Sequence, residues 1–443
     1  MRTLGHGHSG IEKLTTLLSM PKPITRNNYD KIVTALVSAT KEVAKETMLD
    51  AVKDIREEKT GDEHEVVNTG VSVDGSWQKR GYSSHNGVVT AISIDNSKII
   101  DVEPMSKLCK ACIIMKDKLK GDPLAYAEWQ NSHTCKFNYS GSAGGMEAVG
   151  TERIFKRSIS NYSLRYTQML GDGDSKSYDT IRNIYEGVEV EKLDCIEHFQ
   201  KRIGTRCRNL KKKTKGLGGR GRLTKAIIDR LQNYFGIAIR QNVGNLSGMK
   251  SSALGSLFHV ASSKSSSYHF PHCPVGKDSW CKFNRDKANQ TNEYKAGPGL
   301  PLDIIMALKP IYQNLTKDSY LKRLLHGKTQ NQNESFNAMI WDRIPKTKYV
   351  ALPQLELGVY DAICAFNIGL KSTVLIFQKL GMIPGYFLVK GYQSLNDKRI
   401  SLSTYKNREK NKQRRKFLRG RKNKKEDKIE EVEGKLYEAG AFD

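Results

Sequence analysis

The stretch from Leu164 to Ser175 constrains this chain more than any other, because a strand-like run stops there in a pair of glycine-bound aspartates. Leu164, Tyr166, Gln168 and Leu170 alternate along one side of an extended segment, and Gly171 releases it into the turn GDGDS. Carboxylates at a strand terminus point into a cleft and can bind a hard divalent cation through oxygen, which makes Asp172 and Asp174 candidate ligands. The same residues suit an Asx-type turn, with Asp174 or Ser175 capping a helix that buries Tyr178, Ile181 and Tyr185. Further carboxylates elsewhere in the chain separate the two readings.

Two such carboxylates stand out. From Val66 the apolar period becomes two: Val67, Val71 and Val73 lead into Asp74, and the runs GVVTAISID and KIIDVEP follow, so three consecutive strands form an antiparallel meander. Asp74 is expected at the end of the first strand, either as a metal ligand or, helped by Gly75, as a hairpin-turn residue. Glu334 lies near the start of a helix that carries Ala338 and Trp341, with Asn331, Asn333 and Asn337 close by. It is the only acid in an amide-rich, basic-flanked stretch, as suits a third metal ligand beside nucleic-acid phosphates. An all-oxygen site of this kind suits Mg2+ or Mn2+.

The chain holds 8 cysteines and has no apolar signal-peptide core, so a soluble intracellular protein with thiols or metal-bound cysteines is expected. Cys109, Cys112, His133 and Cys135 give CxxC, a spacer and HxC, a four-ligand set for tetrahedral structural Zn2+. A second set is built from Cys273 and Cys281 with His269 or His272, completed across the fold by Cys195 and His198, a CxxH one helical turn long.

With 73 Lys+Arg against 47 Asp+Glu, the formal charge is +26, which calls for a polyanionic partner, nucleic acid before an anionic membrane. The most apolar tract, Leu357 to Phe387, is interrupted by Asp361, Lys371 and Lys379, so no membrane span is expected. On the helix after Cys195, the residues Lys201, Arg202, Arg206, Arg208, Lys211, Lys212 and Lys213 surround an apolar face of Phe199, Ile203 and Leu210, and such a helix can lie along a phosphate backbone. The segment KNREKNKQRRKFLRGRKNKK, including Arg414, Arg415 and Lys416, reads as a disordered basic tail, a non-specific phosphate contact and a nuclear address.

The organisation expected is an α/β core with insertions. Residues 1–65 form an N-terminal helical segment with Ile32, Leu36, Val43, Thr47, Ala51 and Ile55 at helical spacing; 66–214 are the first part of the core, holding a zinc-binding insertion at 105–138; 215–325 are an all-helical insertion; 326–395 complete the core, closed by the apolar helical tract CAFNIGLKSTVLIFQKL; and 396–443 are the tail.

VDGSWQKRG, the CxxC with NSHTC, GDGDSKSY followed by DCIEHFQKR, HCPVGKDSWCKF and TQNQNESFNAMIW together resemble the Mutator-like transposases of the Asp-Asp-Glu class. The resemblance spans roughly residues 66–390, with a weaker echo in the opening LGHG and the closing YEAGAF. It implies a ribonuclease-H-like mixed sheet flanked by helices, with Asp74, Asp172 and Glu334 as catalytic residues and Asp174 as the alternative to Asp172. It further implies metal-dependent DNA cleavage and strand transfer at terminal inverted repeats, double-stranded DNA as partner, a homo-oligomer on that DNA, and a nuclear protein. The upstream DNA-binding module such enzymes use for end recognition has no counterpart in residues 1–65, where no compact helix-turn-helix or zinc-finger pattern is evident. The competing reading is a transposase-derived DNA- or chromatin-binding protein that has lost catalysis.

Overall fold

In the computed structural model the described residues are 7–60, 62, 65–79, 83–173, 176–263, 269, 273–277, 279, 281–295, 297, 299–347, 349–415, 417, 418 and 421. Asp174, Ser175, His272 and Lys416 therefore lie outside them. The chain divides into two compact units, Met1–Asn367 and Ile368–Asp443.

The first unit opens with α1 (His8–Leu17) and the long α2 (Arg26–Lys59), whose Thr25 side chain accepts from the Asn28 N–H at the N-terminus. Val43, Ala44, Thr47, Ala51 and Ile55 are buried at the expected spacing, but Ile32 is exposed and Val33 takes the core position. The meander follows as β1 (Val67–Trp77), β2 (Asn86–Ser93) and β3 (Ile99–Ser106), paired antiparallel. After α3 (Lys110–Lys118) and α4 (Pro123–Ser132) comes α5 (Met146–Tyr162), then β4 (Leu164–Gly171), α6 (Lys176–Ile181) and β5 (Glu191–Asp194). β4 and β5 add in parallel beyond β1, giving one mixed five-stranded sheet in the order β3-β2-β1-β4-β5.

One bulge decides which way the sheet presents its carboxylates. Thr69 pairs with Tyr166 and Gly70 with Gln168, so Thr167 is an extra residue in β4. An extra residue reverses the alternation beyond it. Leu164 and Tyr166 share their buried cluster with Met169, whereas Leu170 packs on the other face with Leu193, Cys195 and Ile94. The single-sided run expected for Leu164, Tyr166, Gln168 and Leu170 is thus broken after Tyr166, and Asp172 is turned to the face that Asp74 occupies.

On one face Ile154 and Phe155 of α5, with Ala51 and Ile55 of α2, cover Val71, Val73, Tyr166 and Met169. A buried ion pair fastens α5 to the edge strand: the Arg157 guanidinium donates to both oxygens of Asp101 at 2.8 Å and to Glu103 at 2.5 Å. Asp101 is 3% exposed. Removing the cation would strand a buried carboxylate, so Arg157→Met is expected to lower the unfolding free energy by about 3–5 kcal/mol in a denaturant titration.

The helical part follows β5 as α7 (Ile196–Lys213), α8 (Lys225–Arg240), α9 (Leu246–Ala261), α10 (Lys282–Asn289), α11 (Leu302–Leu315) and α12 (Asp318–Leu321). These helices have their own core, in which Phe199, Phe235, Leu257, Leu308 and Tyr312 are almost fully buried. The chain then returns to the sheet in α13 (Asn331–Arg343) and α14 (Leu352–Ile368). The apolar helical tract falls into two helices, because Gly369 takes φ +79° and the chain restarts as α15 (Ser372–Lys379). In the second unit α16 (Tyr386–Asn407) makes residues up to 407 helical where a disordered tail was expected from 396.

Candidate active site and metal centres

α13 is locked to β1 by a ladder of matched rise. Ser72 donates to Asn333 Oδ1 at 2.6 Å, Asn337 donates to Asp74 Oδ2 at 2.6 Å, and the Trp341 indole donates to Ser76 Oγ at 2.7 Å. Four helical residues rise about 6 Å and two strand residues about 6.6 Å, so steps of four on α13 meet steps of two on β1. Asp74 therefore lies inside β1, opposite Thr90, rather than at its end as expected. Its turn reading fails with that, because the strand continues to Trp77.

The loop before α13 is stitched to α7. The Gln330 amide N–H donates to Cys195 Sγ at 3.4 Å, Ile196 N–H to Lys328 O at 3.4 Å, and the Gln330 side chain to Val73 O at 2.9 Å. This brings Glu334 to the carboxylates of the sheet. The parallel pairing of β1 with β4 ends at Ser72 and Leu170, and Asp74 and Asp172 each lie two residues beyond that pair. His198, from the first turn of α7, joins the acids: its Nδ1 is 3.1 Å from Asp172 and its Nε2 is 3.5 Å from Glu334.

Cys195 and His198 were expected to complete the second zinc set, and the structure uses them otherwise. Cys195 is a buried anchor for the α13 loop, and His198 bridges two carboxylates. The separation follows from the placement of Cys195, which packs with Leu170 and Leu193 of the sheet just before α7 and so sets the first turn of that helix, with His198, at the acids.

The electrostatics of the acids differ. Burial raises the Asp74 carboxyl to about 6, opposed by the Asn337 hydrogen bond and the His198 charge and reinforced by the nearby Asp172 and Glu334 charges. The hydrogen bond from His198 holds Asp172 down at about 2, helped by Gly173 N–H and the Arg202 charge. Reciprocally, Asp172 raises His198 above the ordinary histidine value. The His198 contribution to stability is thus complete below the unfolded histidine pKa and is lost as pH rises through the higher folded value. An NMR titration of the metal-free protein should show His198 titrating above the usual histidine range, and Asp172→Asn should return it toward that range.

The first Cys/His set is carried by short elements. Asp122 caps the start of α4 by accepting from the Ala125 N–H, and His133 follows at the other end with its ring stacked on Trp129. Cys109 Sγ is 3.2 Å from His133 Nε2, and Cys112 Sγ is 3.5 Å from Cys135 Sγ. Burial acts to raise the Cys109 thiol, but N–H groups of Cys112 and Lys136 together with His133 outweigh it and bring the thiol to about 6. The second set is His259, His269, Cys273 and Cys281. Cys273 Sγ lies 3.4 Å from His259 Nδ1, and Cys281 Sγ 3.5 Å from His269 Nδ1. Metal–ligand bonds of about 2.0–2.3 Å in a tetrahedron put ligand atoms roughly 3.3–3.8 Å apart, so both sets fit an ion such as Zn2+. Outside the second set the Tyr294 hydroxyl sits 3.3 Å from His269 Nε2 and orients the ring. His269, one of the two histidines expected beside Cys273 and Cys281, is in the set, and His259 takes the place expected for Cys195 and His198; its only sequence signal is a lone histidine in the last turn of an apolar helix.

Of the basic residues on α7, Lys201, Arg208, Lys212 and Lys213 are exposed, Arg208 at 3.7 Å from Asp229. Arg206 instead is half-buried and donates to Asn314 of the helical part at 2.6 Å. Arg202 lies against the Asp172 turn. Arg414 and Arg415 are exposed in the second unit.

No helix among the described residues is long and apolar enough to cross a membrane. No curated protein matches the chain. A family model described as Mutator-like transposase matches residues 1–281, a span that contains Asp74, Asp172 and both Cys/His sets and stops short of Glu334. That match covers well over half of the 443 residues, and the chain belongs to the Mutator-like transposase family.

Proposed function

We propose that this transposase cleaves and joins DNA with Asp74, Asp172 and Glu334 as the carboxylates that hold two Mg2+ or Mn2+ ions. The observation that carries the reading is the single imidazole of His198, which reaches the β4 and α13 acids while Asn337 fixes the β1 acid. The strand order and its change from antiparallel to parallel at β1 support a ribonuclease-H-like sheet. When bound, the divalent ions activate a water or a 3'-hydroxyl and stabilise charge on the leaving oxygen of the phosphodiester.

The chain's own residues prepare that chemistry. Asn337 orients Asp74 by donating to one oxygen. His198 offsets the repulsion between Asp172 and Glu334 before any ion is bound, and Gly173 N–H accounts for the other Asp172 oxygen. Arg202 and Lys201 supply positive charge beside the acids for the DNA backbone, and Lys212 and Lys213 extend it to the far end of α7. The two Cys/His sets hold Zn2+ structurally, since four protein ligands leave no open position. The partner is double-stranded DNA, both transposon end and target, bound by a homo-oligomer in the nucleus.

The test is nicking of supercoiled plasmid by the purified full chain with and without Mg2+. Magnesium-dependent nicking, lost in Asp172→Asn, is expected. A folded, zinc-loaded protein that binds DNA but never nicks it would favour the catalytically retired reading.

A further inference from the structure

Asp194 is a charged side chain that the proposed chemistry leaves without a task. It ends β5, pairs with Gly171 in register, and is 2% exposed. Neither of its carboxylate oxygens has a hydrogen-bond partner. A buried carboxylate in that state costs several kcal/mol unless a cation offsets it. Among the described residues the cation in ion-pair range is Arg202, whose terminal nitrogen is 3.9 Å from Asp194.

Arg202 follows His198 by one helical turn, so both project from the same face of α7 toward the Asp172 turn. The guanidinium carbon sits 4.8 Å from the centre of the buried Phe199 ring. A Cβ added at Gly173 would collide with the terminal nitrogen of Arg202, which places that end of the guanidinium against the backbone next to Asp172. One side of the guanidinium thus faces Phe199 and one end faces Asp194, while the side chain keeps 27% exposure. A guanidinium has five donors, and a looser contact on one end leaves an edge for a bidentate phosphate contact.

We infer that Asp194 is a positioning residue: it holds the Arg202 guanidinium against Gly173 so that Arg202 grips a DNA phosphate beside the Asp74, Asp172 and Glu334 acids. This rests on the phosphodiester reading above.

The test is a double-mutant cycle on the full chain, read both as the plasmid nicking rate with Mg2+ and as the salt dependence of binding to a short duplex. Arg202→Ala should slow nicking by about a hundredfold and reduce the salt slope by about one. Asp194→Asn should slow nicking by about tenfold, through a misplaced contact. In the Arg202→Ala background it should have no further effect on either readout. A carboxylate that acted merely as a nearby negative charge would, once neutralised, tighten DNA binding; that result, or additive losses, overturns the inference.

Should Asp194→Asn fail to fold, Gly173→Ala displaces the guanidinium and keeps both charges, and it must show the same loss, absent in the Arg202→Ala background. Nicking by wild type with silent variants removes the inference and leaves the function. A wild type that never nicks, with a salt slope lowered by Arg202→Ala and, non-additively, by Asp194→Asn, keeps the pair and removes the cleavage reading.

Discussion

Asp172→Asn, Asp74→Asn and Glu334→Gln are each expected to reduce Mg2+-dependent nicking by at least about a hundredfold while leaving duplex binding within a few-fold of wild type. The split follows from where the charge sits. DNA affinity comes from a chain of formal charge +26, and one carboxylate made neutral barely alters it. Cleavage depends on oxygen ligands for the divalent ion, and an amide supplies one neutral oxygen in place of a carboxylate. The three variants should differ in stability. Asp172→Asn removes a carboxylate that His198 holds at about 2, a contribution fully present above the unfolded aspartate pKa and lost as pH falls below it through the folded value. Asp74→Asn removes a carboxyl that burial has already raised to about 6, so it should be neutral or stabilising at pH 7 without metal. The Mg2+ concentration for half-maximal nicking should rise as pH falls below about 6, because the ion then competes with a proton on Asp74. Cleavage retained at wild-type rate in Asp172→Asn would end the proposal.

Removing the metal of the second Cys/His set should have the largest effect on folding. Its ligands come from the last turn of α9, from His269 and Cys273, and from the N-cap of α10, so one ion closes the segment between those helices. Cys273, Cys281 and His269 are buried, and polar groups buried so deeply need a partner. The hydrogen bond from Cys273 lowers the Cys281 thiol, favouring the thiolate that a zinc ion requires. Elemental analysis of the purified chain should find two zinc ions. Cys281→Ser should retain one and lower the melting temperature by on the order of 10 °C. Cys195→Ala should retain both ions, since Cys195 anchors the Gln330 N–H rather than a metal. A chain that melts unchanged after complete zinc removal would refute a structural role for either set.

The strands, the long N-terminal helix and the helical character of residues after 215 were legible because their apolar residues recur at two or near 3.6. The Cys109 set was legible because its ligands are close in sequence and spaced for one ion. Three features were not. The Thr167 bulge adds no unusual residue to β4, yet it reverses which face Leu170 and Asp172 present. Gly369 divides a tract whose composition is continuous across it.

The third is the company that His198 and His259 keep. A CxxH beside other cysteines reads as zinc chemistry, and His259 alone on an apolar helix reads as nothing in particular. Sequence by itself determined the family, the sheet's constituents and which residues are chemically able to act, since those depend on side-chain type and local period. Only the tertiary structure decided which of them meet, because partners far apart along the chain are chosen by the register of α13 on β1 and by helix ends packed against the sheet, and neither leaves a local signal.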